Sequence, residues 1–216
     1  SIEEILVRSS NVGSVILAQK IGEDVFKKFI KNTNLTKVPD IELEEVGAPH
    51  EIKWNKCKIE TVSFGHGITT TPLQATTLYA SLTNGGNLVT PSLIKERNKI
   101  ETKKIISIET SKEISSILRQ VVSSENGTAS LADIDGYYVG GKTGTAESYG
   151  NNKQRINSFI SVFPTKKPNY SLFVMLENPK INKDLIYNYR GIKTKAPYNT
   201  SGWNSVYVAG KIIEKI

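Results

Sequence analysis

The 216-residue sequence predicts an α+β fold, with helices first, an antiparallel sheet after them and one helix at the C-terminus. Apolar residues recur at helical spacing through the first part of the chain. Short runs of aromatic and β-branched residues, bounded by Gly, Asn and Pro, follow in the last third. The residues from Ser205 to Ile216 then return to helical spacing. No internal repeat interrupts this order, so one continuous domain over residues 1–216 is the simplest interpretation.

The first helical pattern runs from Val12 to Ile30 and is interrupted at Gly22, which predicts two short helices. The residues from Lys31 to Lys58 are polar and contain prolines, so they are predicted to be mostly loop. Hydrophobic residues make up 38% of the chain and charged residues 23%, an ordinary composition for a globular protein.

Two later helices carry start signals. Thr71-Pro72-Leu73-Gln74 predicts an N-cap threonine, a proline at the first helical position and a glutamine that closes a capping box. Asn84-Gly85-Gly86 predicts the end of this helix. Thr110 and Glu113 form a second capping box, which opens a helix with one apolar face. That face consists of Ile114, Ile117, Leu118, Val121 and Val122.

Three strands are predicted in the last third of the chain: Tyr137 to Val139, Ile156 to Phe163 and Tyr170 to Leu176. The second and third flank a polar turn from Pro164 to Asn169, so they are expected to form an antiparallel hairpin.

The charge pattern argues against a nucleic-acid partner. The net charge is +7, but the lysines are spread along the chain and form no basic helix. His50 and His66 have no third ligand nearby, and the single Cys57 cannot form an intramolecular disulfide. No metal site and no cofactor are therefore expected.

The stretch from Gly140 to Glu147 is the most informative, because it places Lys142 beside two hydroxyls and several glycines. Together with Gly136 it matches the P-loop pattern Gly-x-x-x-x-Gly-Lys-Thr, which makes a nucleotide binder one alternative. A P-loop needs a buried strand before it and a helix after it, whereas polar residues precede Gly136 and bulky Tyr137 would lie inside the phosphate loop.

The same stretch resembles the Lys-Thr-Gly motif of penicillin-binding proteins and serine β-lactamases, in which an edge strand presents the lysine. That family has an upstream Ser-x-Asn, and this chain has Ser9-Ser10-Asn11, which alone would also suit a helix N-cap. The segment from Phe64 to Gln74 is similar to class B penicillin-binding proteins, especially those of division and elongation complexes. The resemblance covers nearly the whole chain, although Thr200 to Tyr207 departs from the family pattern.

The resemblance implies a peptidoglycan D,D-transpeptidase that cross-links cell-wall stem peptides through a serine acyl-enzyme and binds β-lactams. Ser9 would relay a proton, and Asn11 would hydrogen-bond the donor peptide. Lys142 would hold Ser9 in place and add positive charge.

The hydroxyls of the motif have implied roles too. In the substrate-binding Lys-Thr-Gly-Thr run, Thr143 and Thr145 flank Gly144 and would bind the substrate carboxylate. The backbone amide of Thr145 would supply half of an oxyanion hole.

The family nucleophile, a Ser-x-x-Lys that lies before Ser-x-Asn, is missing from this chain. One literal match, Ser92-Leu93-Ile94-Lys95, lies after Ser9 and is interpreted as coincidence. The chain is therefore expected to be the C-terminal portion of a transpeptidase domain that lacks its first strands and its nucleophile helix. Such a fragment should be inactive alone and should expose apolar surface that causes association.

Ligands and partners implied by the resemblance are the stem peptide, β-lactams, the missing upstream part of the domain and proteins of a division or elongation complex. The expected location is the cell envelope, on the periplasmic side of the inner membrane, with an anchor outside this chain. The motifs do not separate a transpeptidase from a D,D-carboxypeptidase. A non-catalytic module, which senses penicillin or serves a division complex, is another alternative.

Overall fold

The computed structural model describes residues 1–55, 57–95, 103–147 and 154–216. These residues form two compact units, one of Ser1–Ile5 with Ser10–Ile114 and one of Leu6–Ser9 with Ser115–Ile216. The combination of helices with antiparallel strands confirms the α+β class. The assignment of residues 1–216 to one domain stays a prediction.

The first unit is helical, and its elements agree with the predicted pair of helices around Gly22. Gly22 has a positive φ of 86°, and its amide donates to the Ala18 carbonyl, so the chain turns there between two helices. The helices with residues in this unit are α1 (Ile2–Val7), α2 (Asn11–Ile21), α3 (Glu23–Asn32), α4 (Lys58–Ser63), α5 (Pro72–Thr83) and α6 (Ile108–Ser123). The described residues between α3 and α4 form no helix or strand, as predicted.

Helix α5 starts and ends where the sequence indicates, but its capping box is only half formed. The Thr71 Oγ1 accepts a hydrogen bond from the Gln74 amide at 3.1 Å, which confirms the N-cap. The prediction for the glutamine side chain is wrong. The Gln74 Nε2 donates instead to the carbonyls of Asn34 and Lys37, at 2.7 and 3.0 Å, and thereby ties the preceding loop to the helix.

Helix α6 begins earlier than predicted, at Ile108. The capping role assigned to Thr110 is wrong, because the Ser107 Oγ accepts from the Thr110 amide at 3.1 Å. The apolar face is placed as expected: Leu118, Val121 and Val122 are buried in the core of the second unit.

The second unit contains a three-stranded antiparallel sheet of β1 (Gly140–Glu147), β2 (Arg155–Phe163) and β3 (Tyr170–Glu177), in the order β1-β2-β3. The predicted hairpin is β2–β3, with Phe163 paired to Tyr170. Among the described strands, β1 lies at the edge of the sheet.

The predicted strand from Tyr137 to Val139 is wrong, because the strand begins at Gly140. Tyr137 lies in a turn, where its ring packs edge-on against Phe163 with centroids 6.3 Å apart, and Tyr138 has a positive φ of 49°. A Cβ at Gly141 would lie 2.4 Å from the Ile160 carbonyl oxygen. The close approach of the backbone at Gly141 to β2, rather than the β-propensity of Tyr137 to Val139, therefore determines where strand pairing starts.

A short hairpin of β4 (Tyr187–Tyr189) and β5 (Ile192–Thr194) was not predicted. The last helix, α7 (Ser205–Ile213), ends three residues before the predicted Ile216. The core of this unit combines side chains from α6, the sheet and α7. Its fully buried members include Val121, Val122, Val139, Phe159, Val206, Ala209 and Ile213.

Candidate active site on the edge strand

The edge strand β1 presents Lys142 to Ser9, a residue 133 positions away in the sequence. The Lys142 Nζ lies 2.7 Å from the Ser9 Oγ and 3.1 Å from the Thr143 carbonyl oxygen. Ser9 follows α1 in a left-handed conformation with a φ of 56°, which a serine rarely adopts. The structure thus brings together the two side chains that the motifs pointed to.

The Ser9 hydroxyl accepts the hydrogen bond from Lys142, because a charged ammonium group can only donate. Its own proton is therefore directed elsewhere, and Ser9 can donate it to a second group. A hydroxyl held in this way can pass a proton while its oxygen stays in place.

Asn11, the third predicted polar residue of this region, is the first residue of α2 in the other compact unit. Ser10 precedes it, and the Ser10 Oγ accepts a hydrogen bond from the Gly13 amide at 3.1 Å. The N-cap interpretation of the Ser-Ser-Asn run is therefore correct for Ser10, whereas Ser9 contacts the lysine.

Burial lowers the pKa of Lys142 from 10.5 to about 8. At pH 7 a lysine with that pKa is mostly cationic, with roughly one molecule in ten neutral. Its two hydrogen bonds go to neutral oxygens, so no carboxylate in those contacts offsets its charge. The site can therefore attract an anionic group.

The two threonines of the motif are each bonded to a hydroxyl from another loop. The Thr143 Oγ1 lies 2.9 Å from the Thr128 Oγ1, on the segment after α6. The Thr145 Oγ1 lies 2.9 Å from the Ser201 Oγ, just before α7. Gly144 lies between them, and its carbonyl accepts a hydrogen bond from Ser201.

Thr128 and Ser201 were not predicted as site residues. Single hydroxyl residues in loops carry no periodic or motif signal, so nothing in the sequence distinguishes Thr128 from its neighbours. For Ser201 a weak signal existed, since it lies in the stretch from Thr200 to Tyr207 that departs from the family pattern.

The strand itself can take part in binding. An edge strand leaves alternate amide and carbonyl groups free, and an extended peptide can pair with them as an added strand. Beside Lys142 and its hydroxyl neighbours, this geometry suits a peptide with a carboxylate end.

The P-loop alternative is wrong. Lys142 and Thr143 lie inside a strand that pairs with β2 along its whole length, from Gly140 opposite Val162 to Glu147 opposite Arg155. A P-loop lysine lies at the turn into a helix whose amides hold phosphate. An extended, paired backbone cannot form that cradle.

Ser92, the serine of the literal Ser-x-x-Lys match, lies in the first unit outside any helix or strand. Its Oγ is hydrogen-bonded to the Glu42 carboxylate at 2.6 Å and accepts from the Ile94 amide at 3.0 Å. In the described part of the chain, no group of three His, Cys, Asp or Glu side chains could hold a metal ion. None of its helices has the length and hydrophobicity to cross a membrane.

Comparison with known proteins gives a family for this arrangement. Residues 1–200 match the penicillin-binding protein transpeptidase domain. The chain is 32% identical over 227 residues to the probable peptidoglycan D,D-transpeptidase FtsI of Caulobacter vibrioides, which covers 99% of the chain and 37% of that protein. It is 34% identical to stage V sporulation protein D of Bacillus subtilis, covering 82% of the chain and 30% of that protein. The chain thus spans about a third of the length of these relatives.

Solved structures share the fold. Penicillin-binding protein 3 from Mycobacterium tuberculosis, complexed with ampicillin, superposes with a TM-score of 0.83 at 24% identity and covers 99% of this chain and 50% of that one. The transpeptidase domain of penicillin-binding protein 3 from Burkholderia pseudomallei gives 0.79 at 22% identity, with coverage of 96% and 61%.

Proposed function

The chain belongs to the penicillin-binding protein transpeptidase family, and from this membership we propose that the whole protein is a peptidoglycan D,D-transpeptidase. It cross-links stem peptides of the cell wall through a serine acyl-enzyme and is inhibited by β-lactams. The 216 residues form the C-terminal portion of its transpeptidase domain. The observation that carries this proposal is the 2.7 Å contact between the Nζ of Lys142, which lies on the edge strand β1, and the Oγ of Ser9.

In the proposed reaction, the nucleophilic serine attacks the carbonyl carbon of the penultimate D-alanine, and the terminal D-alanine leaves as an amine. The lysine of the family's Ser-x-x-Lys, a base outside these residues, takes up the proton that the nucleophile releases and passes it to Ser9, whose hydroxyl donates a proton to the leaving amine. Lys142 holds the Ser9 oxygen, and its positive charge favours the neutral form of the nearby base. Asn11 binds the amide of the donor peptide. The amine of a second stem peptide, on a neighbouring strand of the cell wall, then attacks the acyl-enzyme and releases the nucleophilic serine.

The donor carboxylate binds to hydroxyls of β1. The half-buried Lys142 supplies positive charge beside them, and Thr143 and Thr145 donate hydrogen bonds. The Thr145 amide supplies one donor of the oxyanion hole. A carboxylate held by these hydroxyls places the scissile carbonyl of the donor peptide along β1.

We infer that the nucleophile comes from a part of the protein outside these 216 residues. Ser92 is a poor candidate, because its hydroxyl is bonded to the Glu42 carboxylate and it does not start a helix. Residues 1–216 alone should therefore not form an acyl-enzyme.

The experiment is covalent labelling with a fluorescent penicillin. The whole protein should be labelled, and Lys142→Ala should lower the second-order rate constant of labelling by about 100-fold or more, because proton relay and charge are lost together. Lys167→Ala is the matched control, since Lys167 is an exposed lysine in the β2–β3 turn. Unchanged labelling of Lys142→Ala, or strong labelling of residues 1–216 at Ser92, would contradict the proposal.

The proposed location is the periplasmic face of the inner membrane, with the anchor outside these residues and partners in a division or elongation complex. Two of the relatives are named for an FtsI-type transpeptidase and for a sporulation stage, which supports a cell-envelope role. A fluorescent fusion of the whole protein should concentrate at the septum for a division role or along the side wall for an elongation role. A uniform signal in the cell interior would contradict both.

A further inference from the structure

Ser201 lies outside the family motifs but contacts two residues of the Lys-Thr-Gly-Thr run on β1, Gly144 and Thr145. Its side chain is 1% exposed, and its Oγ contacts both the Gly144 carbonyl and, at 2.9 Å, the Thr145 Oγ1. We propose that Ser201 is a positioning residue that sets the proton direction of the Thr145 hydroxyl and so determines how strongly the site prefers donors with a carboxylate. This inference rests on the proposed transpeptidase function.

The direction of the hydrogen bonds follows from counting protons. A serine hydroxyl has one proton, and that of Ser201 is directed to the Gly144 carbonyl, which can only accept. The contact between Ser201 and Thr145 must then be donated by Thr145. In the free site the Thr145 proton is therefore turned toward the protein and away from an incoming ligand.

Ser201 is held firmly in this place. It opens a short 3-10 helix, Ser201–Trp203, and its carbonyl accepts from the Ser205 Oγ at 3.2 Å. A Cβ at Gly202 would lie 2.8 Å from the Thr128 carbonyl oxygen, so the backbone is packed against the segment after α6. The Arg155 Nη1 also donates to the Asn199 carbonyl at 3.0 Å, which fixes the residues just before Ser201.

When a carboxylate binds, the hydrogen bond between Thr145 and Ser201 reverses its direction. Thr145 turns its proton to the anion, and Ser201 turns its own proton from the Gly144 carbonyl to the Thr145 oxygen. The Gly144 carbonyl keeps a second donor, since the Ser158 Oγ lies 3.4 Å from it. No covalent bond changes, and the hydrogen bond to the charged oxygen is the gain that makes the reversal favourable.

A neutral donor gains less, because a hydrogen bond to an uncharged oxygen is weaker than one to a carboxylate. Without the Ser201 hydroxyl, Thr145 would lose the partner that donates to it when it binds an anion. Removal of this hydroxyl should therefore reduce the preference for anionic donors rather than activity in general.

The experiment compares acylation of the whole protein by benzylpenicillin and by its uncharged methyl ester. The wild type should react faster with the carboxylate form. Ser201→Ala should lower the ratio of the two rate constants about 5- to 10-fold, the effect of one hydrogen bond to a charged group. Ser201→Thr, which retains the hydroxyl, should restore most of the ratio.

Ser161→Ala is the matched control, because Ser161 is also a buried serine bonded to a backbone carbonyl, that of Leu172, but it contacts neither motif threonine. It should leave the ratio unchanged. An equal effect of Ser201→Ala on both compounds, or no effect, in a variant with a wild-type melting temperature would overturn the role of Ser201. A wild-type protein that reacts with neither compound would instead overturn the proposed function and this inference with it.

Discussion

The chemistry of the site depends on a half-buried lysine whose two hydrogen bonds, to the Ser9 Oγ and the Thr143 carbonyl, involve no carboxylate. Burial lowers the pKa of Lys142 to about 8. We expect its ammonium group to titrate near pH 8 in an NMR titration of the isotopically labelled chain, with the signal assigned by its loss in Lys142→Met. A Lys142 signal that titrates near the ordinary lysine pKa of 10.5 would show that the ammonium group is solvated and would remove the basis for its charge effect.

The same pKa determines a pH dependence of stability. Between about pH 8 and 10.5 the unfolded chain holds a proton on this lysine that the folded chain has released, so the contribution of Lys142 to the free energy of unfolding rises with pH. Wild type should have a lower free energy of unfolding than Lys142→Met, because burial disfavours the charged lysine. This difference should shrink between about pH 8 and 10.5 and stay constant below pH 7. Urea denaturation of both proteins at pH 7 and pH 10 measures it.

The residues with unusual chemistry could be predicted from the sequence, whereas the residues that support them could not. Lys142 and Ser9 were predictable because a lysine between hydroxyls and glycines, and a Ser-x-Asn upstream, match a known pattern. Ser201 and Thr128 act through tertiary contacts, and their positions depend on packing between segments that are distant in sequence. Single-residue propensities do not contain that information.

At the scale of elements, the position of β1 depends on the glycines at its start. A Cβ at Gly141 would lie 2.4 Å from the Ile160 carbonyl oxygen and 2.6 Å from the Phe159 ring. Gly141→Ala should therefore lower the free energy of unfolding by about 1–3 kcal/mol, because either β1 or the buried Phe159 must move. Gly47→Ala is the control, since its Cβ would make only an ordinary 3.5 Å contact with Thr71. Urea denaturation that gives equal stabilities for the two variants would contradict this account of the strand.

The elements that were predicted correctly have local signals, and those that were missed do not. Helix α5 starts at a threonine cap and ends at Asn84-Gly85-Gly86, all of which are readable from sequence. The β4–β5 hairpin has strands of only three residues, and its aromatic side chains pack on Trp203 rather than on each other. Its existence depends on that tertiary contact, which no window of sequence reveals.

The apolar surface of α2 and α3 determines whether these 216 residues associate in solution. Val12 is 71% exposed and Val25 60%, and Ile16, Ile21 and Phe29 are exposed on the same two helices. Exposed apolar side chains clustered on neighbouring helices favour association, because contact removes them from water. The isolated chain of residues 1–216 is therefore expected to form oligomers at micromolar concentration.

Analytical ultracentrifugation of the isolated chain would measure this association. Val12→Lys combined with Ile16→Glu should shift the distribution toward monomer by at least about tenfold in dissociation constant, since two apolar contacts are replaced by charges that resist desolvation. Ile192→Lys is the matched control, because Ile192 is equally exposed, at 69%, but lies on the β4–β5 hairpin. If the control alone disperses the oligomers, then the hairpin forms the contact, and the apolar face of α2 and α3 does not.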